Sequence, residues 1–438
     1  MSADTASRKP VVIDLGLERG EPETYHRPER RTTPLWLGPA LLAVLLLFSV
    51  AAAAPPPGPP LSELLRLAIS PGDPDTLTSD GRLVIQRAGE LSSYDLATGE
   101  QQWRVAQDIP VYRLRTGGGQ VLLRPWAPGR GEPGTTAVSL RTGARTWHNE
   151  RNVITFPGDD LMLAVEGVRS LSGSGRRVEK WIEMLDPAGG GARWRLWVPS
   201  TAVLVAVPGP PGGPGRLLLV RDDLTAHLYE VATGTPLAVH RMPPANYDPE
   251  NPVVAGGVVL LRHPGPSGIE ISAYDPLTLR PMWTQPATGT REVRACGPLA
   301  CLIGLDGVRA IDPATGDQRW HRPGWRSVED SGAGLIAYAD GPEYPAGVVD
   351  ARTGRMLVDL TGWRPVGGAA VGGELLVTRE IGPGPRTMVA VAAPGLPHPR
   401  LLAELPTGTG ECQTAPERLI CRSVYGELVV WAYRPRTA

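Results

Sequence analysis

Residues 93–103 read SYDLATGEQQW and residues 310–320 read AIDPATGDQRW. Both run from an apolar, alternating segment into an acidic residue, then a Thr-Gly turn, then a second segment with Trp four residues after the Gly. The pattern recurs as AVSLRTGARTW (137–147), MLDPAGGGARW (184–194) and AYDPLTLRPMW (273–283). Copies without the Trp are LYEVATGTPLA (228–238) and VVDARTGRMLV (348–358), and VAVAAPGLPHP (389–399) is a faint one. The turn position falls at Gly99, Gly143, Gly190, Gly234, Leu279, Gly316, Gly354 and Gly395, with gaps from 37 (Leu279 to Gly316) to 47 (Gly143 to Gly190). A period near 40–45 residues with several short strands per unit is the signature of propeller blades.

Each position has a physical task. The carboxylates of Asp95, Asp186, Asp275, Asp312 and Asp350 can accept hydrogen bonds from backbone amides and close the turn. Glycine reverses the chain at positive φ without a steric penalty. Leu279 departs from this, so its turn is expected to differ. Trp103, Trp147, Trp194, Trp283 and Trp320 sit on outer strands, where the wedge between blades widens, and each indole N–H is expected to find a backbone acceptor on the next blade. The last stretch, residues 410–434, holds three strands and ends. The fourth is expected from residues 64–70, which would close the ring. A literal count is nine units. Propellers rarely exceed eight blades and the Gly395 copy is poor, so the reading settles on an all-β, eight-bladed propeller of four-stranded blades over residues 61–438, with nine or seven as alternatives.

Residues 35–54, LWLGPALLAVLLLFSVAAAA, carry no charge and match the ~20 residues that cross a hydrocarbon core as a helix. Arg27, Arg30 and Arg31 stand before the run, and the next positive charge after it is Arg66. The positive-inside rule therefore places residues 1–34 in the cytoplasm and the propeller outside it, on a single span of the cell membrane. A cleaved signal peptide ending near Ala54 is the alternative. Residues 1–34 are polar and expected to be disordered, with the cluster 11–15 as a possible docking motif. Residues 55–60, PPPGPP, form a stiff spacer.

The A-x-D-x-x-T-G-x-x-x-W form, as in Ala310, Asp312, Thr315, Gly316 and Trp320, resembles the tryptophan-docking repeats of pyrroloquinoline-quinone alcohol dehydrogenases. With the anchor, the chain resembles membrane-anchored actinobacterial propellers described as PQQ-binding-like. The resemblance implies the fold. In the dehydrogenases the quinone is held by a vicinal disulfide, a stacking Trp and a calcium ion. This chain has no adjacent cysteines and no acidic cluster assignable to that calcium, so no cofactor is expected.

Cys296 and Cys301, and Cys412 and Cys421, each flank a turn between two strand-like runs. Two disulfides within blades are the main reading outside the cytoplasm, where thiols oxidise. A four-cysteine metal site and free buried thiols are the alternatives. The seven histidines are dispersed, and Asp73, Asp75 and Asp80 read as a plain turn rather than a calcium loop. Gly332 and Gly334 open no helix of dinucleotide type. No catalytic or metal-binding residues are assigned. The formal net charge of −1 gives no global basic field, so no nucleic-acid partner is expected. The favoured function is a non-catalytic scaffold that engages an envelope protein, peptide or glycan, with loops such as 126–136 and 208–215 supplying specificity. A quinone-dependent oxidoreductase and a sensor signalling through the N-terminal tail are the alternatives.

Overall fold

The computed structural model divides into two compact units, Met1–Gly58 and Pro59–Ala438. It describes residues 60–433 except 126–133, 156–160, 166–178, 210–214, 222, 244–251, 267, 333, 340–344, 368–373 and 383–385, together with Pro39 and Leu42. Those two are helical. The rest of the apolar run 35–54, and the tail before it, lie outside the described residues. Among the described residues no helix is long and apolar enough to cross a membrane.

The second unit consists of nine four-stranded antiparallel sheets. Blades 1 to 8 span residues 75–106, 115–149, 152–199, 203–241, 252–286, 290–322, 327–359 and 364–405. Each uses four consecutive strands from the axis outward. Blade 9 takes its inner three strands from Thr409–Ala415, Arg418–Ser423 and Glu427–Tyr433, and its outer strand from Leu61–Ala68. That outer strand pairs antiparallel with Glu427–Tyr433, from Leu61 opposite Tyr433 to Ala68 opposite Glu427.

Nine blades replace the expected eight. The unit around Gly395 lacks the acidic residue and the Trp, yet it builds a full blade from Arg364–Pro365, Leu375–Ile381, Arg386–Ala392 and Arg400–Leu405. Its second and third strands carry the apolar residues that count: Leu375, Leu376, Val377, Val389, Ala390 and Val391 are all buried. A blade is made by burial on both sheet faces, whereas the turn motif only finishes it.

Nine clusters of buried side chains correspond to the nine interfaces between neighbouring blades. Blades 9 and 1 share Leu67, Leu83, Ile85, Ile420, Leu428 and Val430, so the ring is closed. The other eight interfaces hold one cluster each.

The five motif tryptophans occupy these interfaces. Their indole nitrogens donate to Leu140, Pro187, Val231, Pro313 and Ala351 carbonyls on the following blade, at 2.7–3.0 Å. Each acceptor directly follows the turn-opening residue of that blade. The indole also covers the next blade's turn glycine. A Cβ added at Gly190 would stand 2.5 Å from Trp147, and one at Gly234 2.6 Å from Trp194. Glycine is thus required twice, for its φ of +67° at Gly190 and for the ring lying against it.

Leu279 corrects the expectation of a different turn. Its amide donates to the Asp275 carbonyl at 2.9 Å, the same bond that Gly99 makes to Asp95 at 2.8 Å. Its φ is +56°. The preceding blade carries Ala238 at the position paired like the tryptophans, opposite Leu228. The Leu279 side chain is fully buried and packs with Ala238 in that interface, filling the volume an indole takes elsewhere. Ala238→Trp alone should therefore overpack the site and lower stability by about 1–3 kcal/mol. Adding Leu279→Gly to it should recover most of that loss in a denaturant titration, whereas two additive losses would refute the exchange.

Candidate functional face

The strand directions give the disc two unlike faces. The turns between first and second strands, and those between third and fourth strands, lie on one side, here the turn face. The second-to-third hairpins and the blade-to-blade connections lie on the other, the loop face. Leu61 and Tyr433 both stand at the rim of the turn face, since they pair at the end of a third strand.

The turn face is paved with closed turns. Oδ1 of Asp95 accepts from the Ala97 amide at 2.6 Å, Oδ1 of Asp312 from Ala314 at 2.9 Å, and Oδ1 of Asp350 from Thr353 at 2.8 Å. Asp275 accepts from Leu277 and Thr278, and Asp186 from Gly189. Arg319 beside Asp312 and Arg193 beside Asp186 hold those carboxyls below their usual range, with the backbone donors adding to the effect. The Thr353 hydroxyl acts likewise on Asp350. A carboxyl depressed on folding contributes stability above its unfolded value and loses it as pH falls through the lower folded value. The melting temperature should therefore hold down to about pH 4 and drop below it. Asp312→Asn should flatten part of that drop.

The loop face carries open clefts. One, of about 230 Å³, lies where blades 2 and 3 meet and is lined by Tyr112, Arg113, Arg115, Leu122, Arg124 and Pro125, with Thr135 and Val153 at its floor. A second, of about 680 Å³, lies on blade 5 beside Pro243, His263, Pro266, Glu270 and Tyr274. A third, of about 500 Å³, lies between blades 8 and 9, by Glu380, Thr387, Glu411, Arg422 and Val424. Further in, Glu329, Asp330, Tyr338 and Arg364 line a cavity of about 320 Å³ against the inner strands of blades 7 and 8. The Tyr338 hydroxyl donates to Glu329 at 3.0 Å, and burial, with that carboxylate, raises its pKa well above the ordinary phenol value.

In the blade 5 cleft His263 is 4% exposed. Its Nδ1 lies 2.8 Å from the Pro264 carbonyl, which can only accept, so Nδ1 carries the proton. Nε2 lies 2.8 Å from the Ser272 hydroxyl, and Ser272 meets Thr284 at 2.7 Å. The Ser272 side chain is itself buried, so the chain of hydroxyls ties three strands together rather than presenting a nucleophile.

The cysteines form two disulfides, Cys296–Cys301 and Cys412–Cys421, each joining the first and second strands of one blade. This agrees with the pairing read from the sequence. Neither is vicinal, so the residues present do not fit the quinone cradle of the dehydrogenases. Among the described residues no three His, Cys, Asp or Glu side chains converge to hold a metal ion. Asp75, read as part of a plain turn, instead opens the first strand of blade 1 and holds Arg422. The arginines of the blade 2 cleft and the His263 chain were not singled out by the sequence. The one available signal was the strand-spaced pair Arg113 and Arg115 after a long connection. Of the two loops expected to give specificity, 126–133 and 210–214 lie outside the described residues.

The fold and its faces define a closed β-propeller with one structural face and one cleft-bearing face. Residues 178–327 match the family model described as outer membrane protein assembly factor BamB. Among solved structures the chain is similar to BamB from Moraxella catarrhalis, with 14% identity, 86% of this chain and 99% of that chain covered, and a TM-score of 0.42. The C-terminal WD40 domain of Sif2 follows at 11% identity, with 86% and 99% covered and a TM-score of 0.42. Quinohemoprotein alcohol dehydrogenase from Comamonas testosteroni aligns at 13% identity, with 86% and 77% covered and a TM-score of 0.38. No curated protein matches the sequence.

Proposed function

We propose that this chain is a binding scaffold held outside the cytoplasm by its N-terminal apolar segment, with the loop face of the propeller receiving a protein partner. The observation that carries the reading is the unequal division of the disc. Turns closed by aspartate side chains cover much of one face, while three open clefts and the connection 107–114 lie on the other. A rigid frame that presents variable connections on one side is the usual geometry of a recognition surface. The chain enters that frame at the opposite rim, through Leu61. The two disulfides favour an oxidising compartment, in line with the apolar run at 35–54 and its flanking arginines. The match to an outer membrane assembly factor supports a protein as the partner.

The test is photo-crosslinking in intact cells, with the reactive residue at Tyr112 or Tyr425 on the loop face and at Arg352 or Ala97 on the turn face. Discrete adducts from the loop-face positions alone are expected. Adducts confined to the turn face, or a propeller that external protease cannot reach in spheroplasts, would refute the reading.

A further inference from the structure

We infer that the cleft between blades 2 and 3 is a docking site for an acidic peptide segment of a partner protein, an inference that rests on the scaffold reading and specifies its chemistry. Arg113, Arg115 and Arg124 all line this cleft, and all three are exposed. None of them is paired with a carboxylate among the described residues. Several other surface arginines do have such partners. Arg66 is paired with Glu63 and Glu427, Arg193 with Asp186, Arg319 with Asp312, and Arg151 and Arg195 with Glu183.

The placement is not a chance scatter. Arg115 opens the first strand of blade 2 and lies opposite Leu122 on the second. Arg124 follows Leu122 by two residues and Arg113 precedes Arg115 by two. Arg115 leads the first strand, and Arg113 and Arg124 flank the two paired strands at the same end, so all three cations gather at one rim of the cleft. An anionic ligand would complement the three guanidinium charges that line the cleft. The bridge between Val111 and Pro125 fixes the rim of the cleft.

The apolar part of the lining selects among anions. Tyr112 is 86% exposed at the mouth and offers an aromatic face beside the three guanidinium groups. Leu122 and Val153 are buried beneath it. A free phosphate has no apolar part to place against the Tyr112 ring. A peptide with carboxylates on either side of an apolar residue matches both parts. Guanidinium groups bind carboxylates in a bidentate manner, and the aromatic ring supplies contact area at small entropic cost.

The test uses the full-length protein in nanodiscs and a fluorescein-labelled peptide, Glu-Glu-Leu-Glu-Glu, followed by anisotropy at low and physiological salt. Binding that weakens with ionic strength is expected in the wild type. Arg115→Glu combined with Arg124→Glu should weaken it tenfold or more while leaving the melting curve in place. A peptide with the leucine replaced by glycine should bind several-fold more weakly. No binding at low salt, binding unchanged in the double variant, or equal competition by inorganic phosphate and a sulfated oligosaccharide would each overturn the proposal. Its failure would leave the scaffold reading standing if loop-face crosslinks still form in cells, and the loss of those crosslinks would remove both.

Discussion

Removing residues 1–68 is expected to abolish cooperative folding of the propeller, or to lower its stability by about 5–10 kcal/mol. The outer strand of blade 9 comes from the far end of the chain and buries Leu67, with Leu61, Leu64 and Leu65 packed into the two adjoining interfaces. Fully burying a leucine contributes about 1.5–3 kcal/mol, so one buried and three half-buried leucines, together with the lost strand pairing, reach the lower part of the range of total domain stability. The strand also supplies the backbone partners of Glu427–Tyr433, which would otherwise present a bare edge. Leu64 stands against Gly99 of the following blade, the place a tryptophan takes at five other interfaces. Circular dichroism melts of the truncated and full-length chains give the comparison. A chain lacking residues 1–60 but keeping Leu61–Ala68 should melt with the full-length protein. If the shorter truncation were equally damaging, the anchor segment rather than the strand would be responsible.

Asp75→Ala should cost about 3–5 kcal/mol, the usual consequence of leaving a buried charge without its partner. Asp75 and Arg422 form an ion pair across the closing seam, with side chains only 4% and 17% exposed. Gln413 donates to the same carboxylate at 2.6 Å, and Arg422 donates as well to the Asp73 carbonyl at 2.5 Å. The seam is continued by Arg418, which donates to the Leu96 and Ala97 carbonyls of blade 1. One residue thus ties the inner strand of blade 1 to two strands of blade 9. The companion variant Arg422→Met with Asp75→Leu should be much less harmful than either single change, because no charge is then left unpaired. Equal losses in the single and double variants, measured by urea titration, would show that the pair contributes no more than its packing.

Much of this architecture could be read from residues 93–103 and their copies. The Asp, Gly and Trp positions were legible because each has a local cause: a carboxylate that closes its own turn, a backbone at positive φ, an indole too large for any site but a blade interface. The donation of a strand by the N-terminus was legible because three strands at residues 410–434 left an edge to be covered. The blade count was not. Residues 389–399 lack the turn chemistry, and the apolar alternation of Leu375–Ile381 and Arg386–Ala392 had to be weighed instead. Leu279 misled for a related reason. The residue that permits it, Ala238, is 41 positions earlier and on a different blade, so the compensation exists only in space.

The loop face was hidden more deeply. Arg113, Arg115 and Arg124 are unremarkable in a chain rich in arginine, and only strand pairing brings them to one cleft. The same holds for Asp75 and Arg422, which are separated by 347 residues and joined by closure of the ring. Local chemistry therefore announced the frame, while the candidate site depends on which strands become neighbours.

Electron microscopy of the purified protein, averaged over views down the propeller axis, tests the nine-bladed closed ring most directly. Nine radial lobes without a gap are expected, with the density of Leu61–Ala68 on the rim of the ninth. Eight lobes, or a ring open between the first and last blades, would contradict the account.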